Sequence, residues 1–125
     1  MIIGLGIDLV ANRRLRRELA RGEWLATDGI FTAKEIDACN NHKQPAAAYA
    51  ACFAAKEATL KAFGAGCKDL GRMKEVELEF GHDGRHTVVL HNRLRLESEH
   101  LRVRHIRLSV ASAKQQTGAL VILES

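Results

Sequence analysis

Apolar and polar positions alternate from the first residues of the chain. Ile3, Leu5, Ile7 and Leu9 fall on one face of a strand predicted over residues 2–10, and Gly4, Gly6, Asp8 and Val10 fall on the other. Two glycines in a strand imply that something approaches that backbone closely. The period then changes. Leu15 and Leu19 lie four apart among arginines, which predicts an amphipathic helix over 12–21 that Gly22 can end. Phe31-Thr32-Ala33-Lys34-Glu35-Ile36 reads as a helix start, with Thr32 as N-cap and Glu35 completing a capping box. Residues 40–44 are polar and read as a loop. Pro45, the only proline, suits a first helical turn. Residues 46–63 predict the strongest helix of the chain, dominated by alanine, the best helix former and small enough for close packing.

The second half returns to a period of two. Val76, Leu78 and Phe80 alternate with Glu75, Glu77 and Glu79, Gly81-His82-Asp83-Gly84 is a turn, and Thr87 to Leu90 is the return strand. A helix over 92–101 and strands near 103–111 and 117–124 complete the chain. There is no repeat and no linker. The fold class predicted is α+β, a single domain over residues 1–125 with a largely antiparallel sheet.

Composition adds limits. At 125 residues, 46% hydrophobic and 27% charged, the chain fits one globular domain with one core. No apolar run reaches bilayer length, and no basic-then-apolar leader precedes the first strand, so the expected location is the cytoplasm with no membrane partner. Cys39, Cys52 and Cys67 form no C-x-x-C pair, which points to reduced, partly buried thiols. His82 and His86 sit in or beside a turn and are expected to be solvated rather than metal-binding. The net charge of +4 suits an acidic partner, and Arg13, Arg14, Arg16, Arg17 and Arg21 concentrate it on the first helix. No aromatic residue interleaves those arginines, which argues against a nucleic-acid-binding module.

Three side chains stand out chemically. Asp8 is a carboxylate in an otherwise apolar strand, costly unless paired, solvated or holding a cation. The alternative is a capping role at the next turn. Glu57 and Lys61 lie four apart in the alanine-rich helix, on the face of Phe53. They can be a surface ion pair. In a helix packed on most sides they can instead hold Mg²⁺ and meet phosphate.

Gly6-Ile7-Asp8, followed about fifty residues later by Phe53-Ala54-Ala55-Lys56-Glu57-Ala58-Thr59-Leu60-Lys61 and Ala62-Phe63-Gly64-Ala65-Gly66, resembles the two-part signature of the phosphopantetheinyl transferases, in the holo-acyl-carrier-protein synthase branch. Phe31-Thr32-x-x-Glu35, the glycine-containing hairpin after Phe80 and the closing Ala119 to Glu124 extend the resemblance over essentially the whole chain. It implies a long alanine-rich helix packed on a mainly antiparallel sheet, in a homotrimer with active sites between subunits. It also implies Mg²⁺-dependent transfer of the 4′-phosphopantetheine of coenzyme A to a serine of an acidic acyl carrier protein. The carrier could serve fatty-acid synthesis, polyketide assembly or another pathway.

Residue by residue, Asp8 and Glu57 match the metal carboxylates, and Lys61 matches the lysine that contacts the phosphate. For Lys56, a catalytic role, a nucleotide-end contact and a structural ion pair all stay open. Gly64, Gly66 and Ser112 match cofactor-binding positions. Arg13, Arg14, Arg17 and Arg21 match the carrier-docking helix, with Arg14 the best match. The chain also departs from the pattern. Ser112 stands where a strand histidine is usual, Ala111 replaces a serine, Cys52 replaces an arginine before the signature, and Ala65 replaces threonine. Each change removes a polar or charged contact near the cofactor. A weakened or silent homologue that only binds carrier protein is therefore the rival reading.

Overall fold

The computed structural model describes residues 1–26, 29–65 and 70–125. Strand β1 (Ile2–Ala11) runs into helix α1 (Asn12–Arg21), and a short 3-10 turn follows at Glu23–Leu25. Helices α2 (Ala33–Asn40) and α3 (Pro45–Ala62) come next. The hairpin strands β2 (Val76–Phe80) and β3 (His86–Leu90) precede α4 (Asn92–His100), and β4 (His105–Ser112) and β5 (Gln116–Glu124) close the chain. Among these residues, no helix is long and apolar enough to cross a membrane.

The strands form two antiparallel sheets rather than one. The larger has the order β1-β5-β4, and the smaller is the β2-β3 hairpin. Helix α3 packs on β1 and β5 and also meets α1, α2, β2 and β4. That central position explains its composition. From Ala48 to Leu60 every residue is buried, so the helix has no polar side to show solvent. Pro45 opens it at a position that needs no N–H, and Gly64 follows it with φ 84°, in the left-handed region that glycine tolerates.

The glycines of β1 account for the closeness of that packing. A Cβ on Gly6 would lie 1.9 Å from the Ala58 carbonyl oxygen, and one on Gly4 would lie 2.1 Å from that of Ala62. The glycine face of β1 therefore turns inward. Its apolar face turns outward, leaving Leu5, Ile7 and Leu9 exposed, with Leu120 of β5 directly across from Ile7.

Elsewhere the core is aromatic. Trp24 stacks on Phe53 with ring centres 4.8 Å apart, and Phe31 meets Tyr49 edge-on at 5.0 Å. Thr32 and Glu35 form the predicted capping box on α2. Of the three alternating glutamates only Glu79 is exposed, while Glu75, just before β2, and Glu77 within it are buried. Glu75 accepts from Arg72 and from the Leu94 N–H, and Glu77 accepts from Thr32 and meets His91.

Candidate active site

The matched register of β1 and α3 assembles the site. Two residues along a strand advance about 6.7 Å, and four along a helix about 6 Å. Gly4 lies on Ala62 and Gly6 on Ala58, so Asp8 lies further toward the start of α3 than either contact, and a long side chain from the later turn can reach back to it. The contact made there is with Lys61. Its ammonium donates to Asp8 Oδ1 at 2.9 Å and to the Ile7 carbonyl at 3.1 Å. Lys61 thus does not pair only along its own helix, as an isolated surface pair would. It ties strand to helix. Glu57 stands one turn earlier on the same side of α3 and is 4% exposed.

Asp8 offers a test of whether a cation fits. Its second oxygen, Oδ2, is buried and has no hydrogen-bond partner among the described residues. A buried carboxylate oxygen left in that state is costly unless something positive meets it. No group of three or more metal-ligating side chains occurs among the described residues. Mg²⁺ does not require one, because it binds through one or two carboxylates completed by water and substrate phosphates.

Lys56 behaves differently from its neighbour. It is wholly buried, and its ammonium donates to Glu35 Oε1 at 2.6 Å and to the Val76 carbonyl at 2.6 Å, below the ring of Phe31. A side chain with no exposed surface does not reach a bound nucleotide. Of the roles the sequence left open, its place fits the structural ion pair and not the nucleotide contact. Glu35 was legible as a capping residue. Its second role was not. Besides Thr32 and Lys56 it accepts from the Leu78 N–H at 2.8 Å and the Cys52 thiol at 3.1 Å. Cys52, at the position where an arginine was expected, is therefore sealed in the core. Its thiol is pushed well up, first by burial.

The remaining expected positions are spread around this centre. Gly64 sits exposed just past α3, with its N–H bonded to the Lys61 carbonyl. Gly66 lies outside the described residues. Ser112, at the end of β4, lines a cleft of about 640 Å³ between α3, β4 and the β2-β3 hairpin. Arg13, Arg14, Arg17 and Arg21 are all exposed on α1, on the side away from buried Leu15. Two cleft residues, His42 and Arg85, were not singled out in the sequence, and a third, His86, was given another setting. His86 was expected in solvent, yet it is half-buried with its ring edge-on to Phe80 at 4.9 Å. A histidine entering a strand next to an aromatic partner was the available signal.

The chain is similar to known proteins along almost its whole length. Residues 4–119 match the family model described as the 4′-phosphopantetheinyl transferase superfamily. A holo-[acyl-carrier-protein] synthase of Moorella thermoacetica is 37% identical over 122 residues, covering 96% of this chain and 92% of that protein. The crystal structure of a holo-[acyl-carrier-protein] synthase from Neisseria meningitidis superposes with a TM-score of 0.86 at 26% identity, covering 100% of both chains. One from Bacillus anthracis, in complex with CoA (3′,5′-ADP), gives a TM-score of 0.78 at 26% identity, covering 100% of this chain and 98% of that one.

Proposed function

Because the chain belongs to the 4′-phosphopantetheinyl transferase superfamily, we propose that it is a holo-acyl-carrier-protein synthase, moving the 4′-phosphopantetheine of coenzyme A to a serine of an apo acyl carrier protein. The observation that carries this reading is the Asp8–Lys61 pair at 2.9 Å across β1 and α3, with Asp8 Oδ2 buried beside it and unsatisfied among the described residues. All of residues 1–125 are taken as one catalytic domain, acting in the cytoplasm.

The reaction forms a bond from the serine oxygen to the β-phosphorus of coenzyme A. It breaks the bond from that phosphorus to the bridging oxygen, releasing adenosine 3′,5′-bisphosphate. Asp8 and Glu57 would hold a Mg²⁺, which when bound supplies positive charge to the pyrophosphate. Lys61 is fixed by Asp8 and the Ile7 carbonyl, and its side chain is 32% exposed, so its ammonium is held where a phosphoryl oxygen can meet it. A cation placed before the reaction stabilises charge without reorganising during it. The serine proton passes to Glu57 or to solvent at the site. Gly64 lets the chain turn away after α3, leaving the backbone there open to the pyrophosphate. The exposed arginines of α1 suit an acidic carrier, speeding encounter in a way that salt weakens.

A trimer is part of the same reading. Leu5, Ile7 and Leu9 are 60%, 61% and 66% exposed in a row along β1, an apolar strip of the kind that further copies of the chain would cover.

The test is intact-mass measurement of apo carrier proteins incubated with this protein and coenzyme A. A gain of one phosphopantetheine, abolished by removing divalent cations and by Asp8→Ala, is expected. No gain, on carriers that another synthase of this type modifies, would move the reading to a carrier-binding homologue without turnover.

A further inference from the structure

Strand β1 passes into α1 without a loop, Ala11 ending the one and Asn12 opening the other. The direction of the arginine-bearing helix is therefore set at this junction. The helix start gives little help of its own. Ala11 offers no side chain to cap it, and its first turn holds no acidic residue. Asparagine serves well as a cap one position earlier and poorly inside a helix, because its amide competes for backbone partners. Here the amide finds them in another element. It donates to the Ala113 carbonyl at 2.9 Å and to the Lys114 carbonyl at 3.2 Å, while the Asn12 backbone N–H donates to the Gln115 carbonyl at 2.9 Å. One residue thus engages three successive carbonyls of the turn between β4 and β5. Its amide oxygen accepts from the Thr117 hydroxyl at 2.8 Å, and Thr117 is buried opposite Val10 in the sheet. That bond holds the amide with its NH₂ aimed at the turn.

The two sides of this contact differ in how else they are held. The turn keeps its shape without Asn12, since the Ala113 N–H donates to the Gln116 carbonyl at 2.8 Å and the β4–β5 ladder runs up to Ser112 and Thr117. Helix α1 rests on the core through buried Leu15 and half-buried Leu19. Apolar contact is non-directional, so a single line of leucines fixes the depth of the helix better than its angle. Arg21 lies about 13 Å along the axis from Asn12, so a tilt of about 10° at the junction displaces it by about 2 Å. A hydrogen-bonded ion pair does not survive a displacement of that size.

We propose that Asn12 is a positioning residue for carrier recognition: it locks α1 onto the β4–β5 turn, so that Arg14, Arg17 and Arg21 meet an acidic carrier protein at a fixed angle. The inference rests on the transferase reading and adds the residue that aims the docking surface. Asn12 acts through the arginines and not by contact with either substrate.

Steady-state transfer, with carrier and coenzyme A varied in turn and each variant shown by urea titration to be folded, tests this. Asn12→Ala should raise the KM for the carrier about five-fold, while kcat and the KM for coenzyme A stay within about two-fold. Thr117→Val, which frees the amide to turn, should raise the carrier KM about three-fold, and adding it to Asn12→Ala should cost nothing more, because both act through one contact. Asn41→Ala removes a comparable amide bond, to the Asp37 carbonyl at the end of α2, and should leave the carrier KM within about two-fold. An unchanged carrier KM in Asn12→Ala, an equal rise in Asn41→Ala, additive effects of Asn12 and Thr117, or equal losses for both substrates would overturn the proposal while leaving the transferase reading intact. If the wild-type protein binds carrier without modifying it, the transferase reading falls instead, and the same shifts are read in the carrier Kd by fluorescence anisotropy. Absence of both binding and transfer would overturn the two together.

Discussion

Helix α3 carries two lysines five positions apart, and each holds a carboxylate from a different element. Lys56 grips Glu35 with both side chains wholly buried, and Lys61 grips Asp8 with side chains 32% and 11% exposed. The bonds are alike in length, at 2.6 and 2.9 Å. Their surroundings separate them. Glu35 has every oxygen engaged, by the Thr32 and Leu78 N–H groups, the Cys52 thiol and Lys56, so that site is closed. Asp8 keeps Oδ2 without a hydrogen-bond partner among the described residues. A closed network locks α2, α3 and β2 together. An unfinished one at the edge of the same helix is equipped to meet something else. Residue type alone does not distinguish the two lysines, since the signature contains both.

Removing the buried partner should have the largest effect. Lys56→Met leaves the Glu35 carboxylate in the core without its cation, and loss of about 3–5 kcal/mol is expected. Urea unfolding would read this as a large drop in midpoint. A wild-type midpoint would mean that the closed network does not support the fold.

Next comes the strand that carries Asp8. In Gly6→Ala the new Cβ meets the Ala58 carbonyl at 1.9 Å and the Ala62 nitrogen at 2.7 Å. Neither atom can move without bending α3, so β1 must lift away. A stability loss of about 1–3 kcal/mol is expected, with transferase activity falling further because Asp8 moves with the strand. Unchanged transfer by a destabilised Gly6→Ala protein would separate Asp8 from the chemistry.

The pH dependence of stability sharpens the contrast from another region. The hydrogen bond from Arg72 holds the Glu75 carboxyl below its ordinary value of 4.5. A depressed carboxyl contributes stability that is present above 4.5 and is lost as pH falls through its folded value. His86 is likewise depressed, from 6.5, so the folded protein resists its protonation and its contribution turns unfavourable as pH falls through 6.5. The urea midpoint should therefore decline in two stages on acidification. His86→Phe should remove the upper stage and Glu75→Gln should reduce the lower, which Glu77 shares. An unaltered profile in both variants would refute these assignments.

The smallest effect is expected on the docking helix. Arg14 is exposed and unburdened by packing, so Arg14→Ala should change stability by well under about 1 kcal/mol. It should slow association with carrier protein several-fold at low salt, with the difference shrinking as salt rises. Stopped-flow association rates at two ionic strengths would show it.

Much of this was legible in the sequence, for identifiable reasons. The strand pattern of β1, the capping box at Thr32 and Glu35, Pro45 and Gly22 all declare local structure through local chemistry, and each lies where its pattern predicts. The approach of a helix to Gly4 and Gly6 was foretold by the glycines, although the helix's identity was not. What stayed hidden depends on distant partners. Glu75 and Glu77 look like a solvated stripe until Arg72, Leu94, Thr32 and His91 close around them. His86 looks like a turn histidine until Phe80 and the cleft are assembled. The role of Lys56 stayed open beside that of Lys61 because their difference lies in the depth at which α3 is buried, which no periodicity records.

The most direct test of that difference is the rate at which Lys61→Met modifies an apo carrier protein, measured where urea titration shows both proteins fully folded. The pair it breaks leaves Asp8, only 11% exposed, without its ammonium, so a loss of about 1–3 kcal/mol is expected, smaller than for Lys56→Met, and the fold should survive. The rate should fall by about a hundred-fold or more, the usual consequence of losing a charge placed for the transition state. Transfer within about two-fold of wild type would contradict the account, leaving Lys61, like Lys56, as a structural tie.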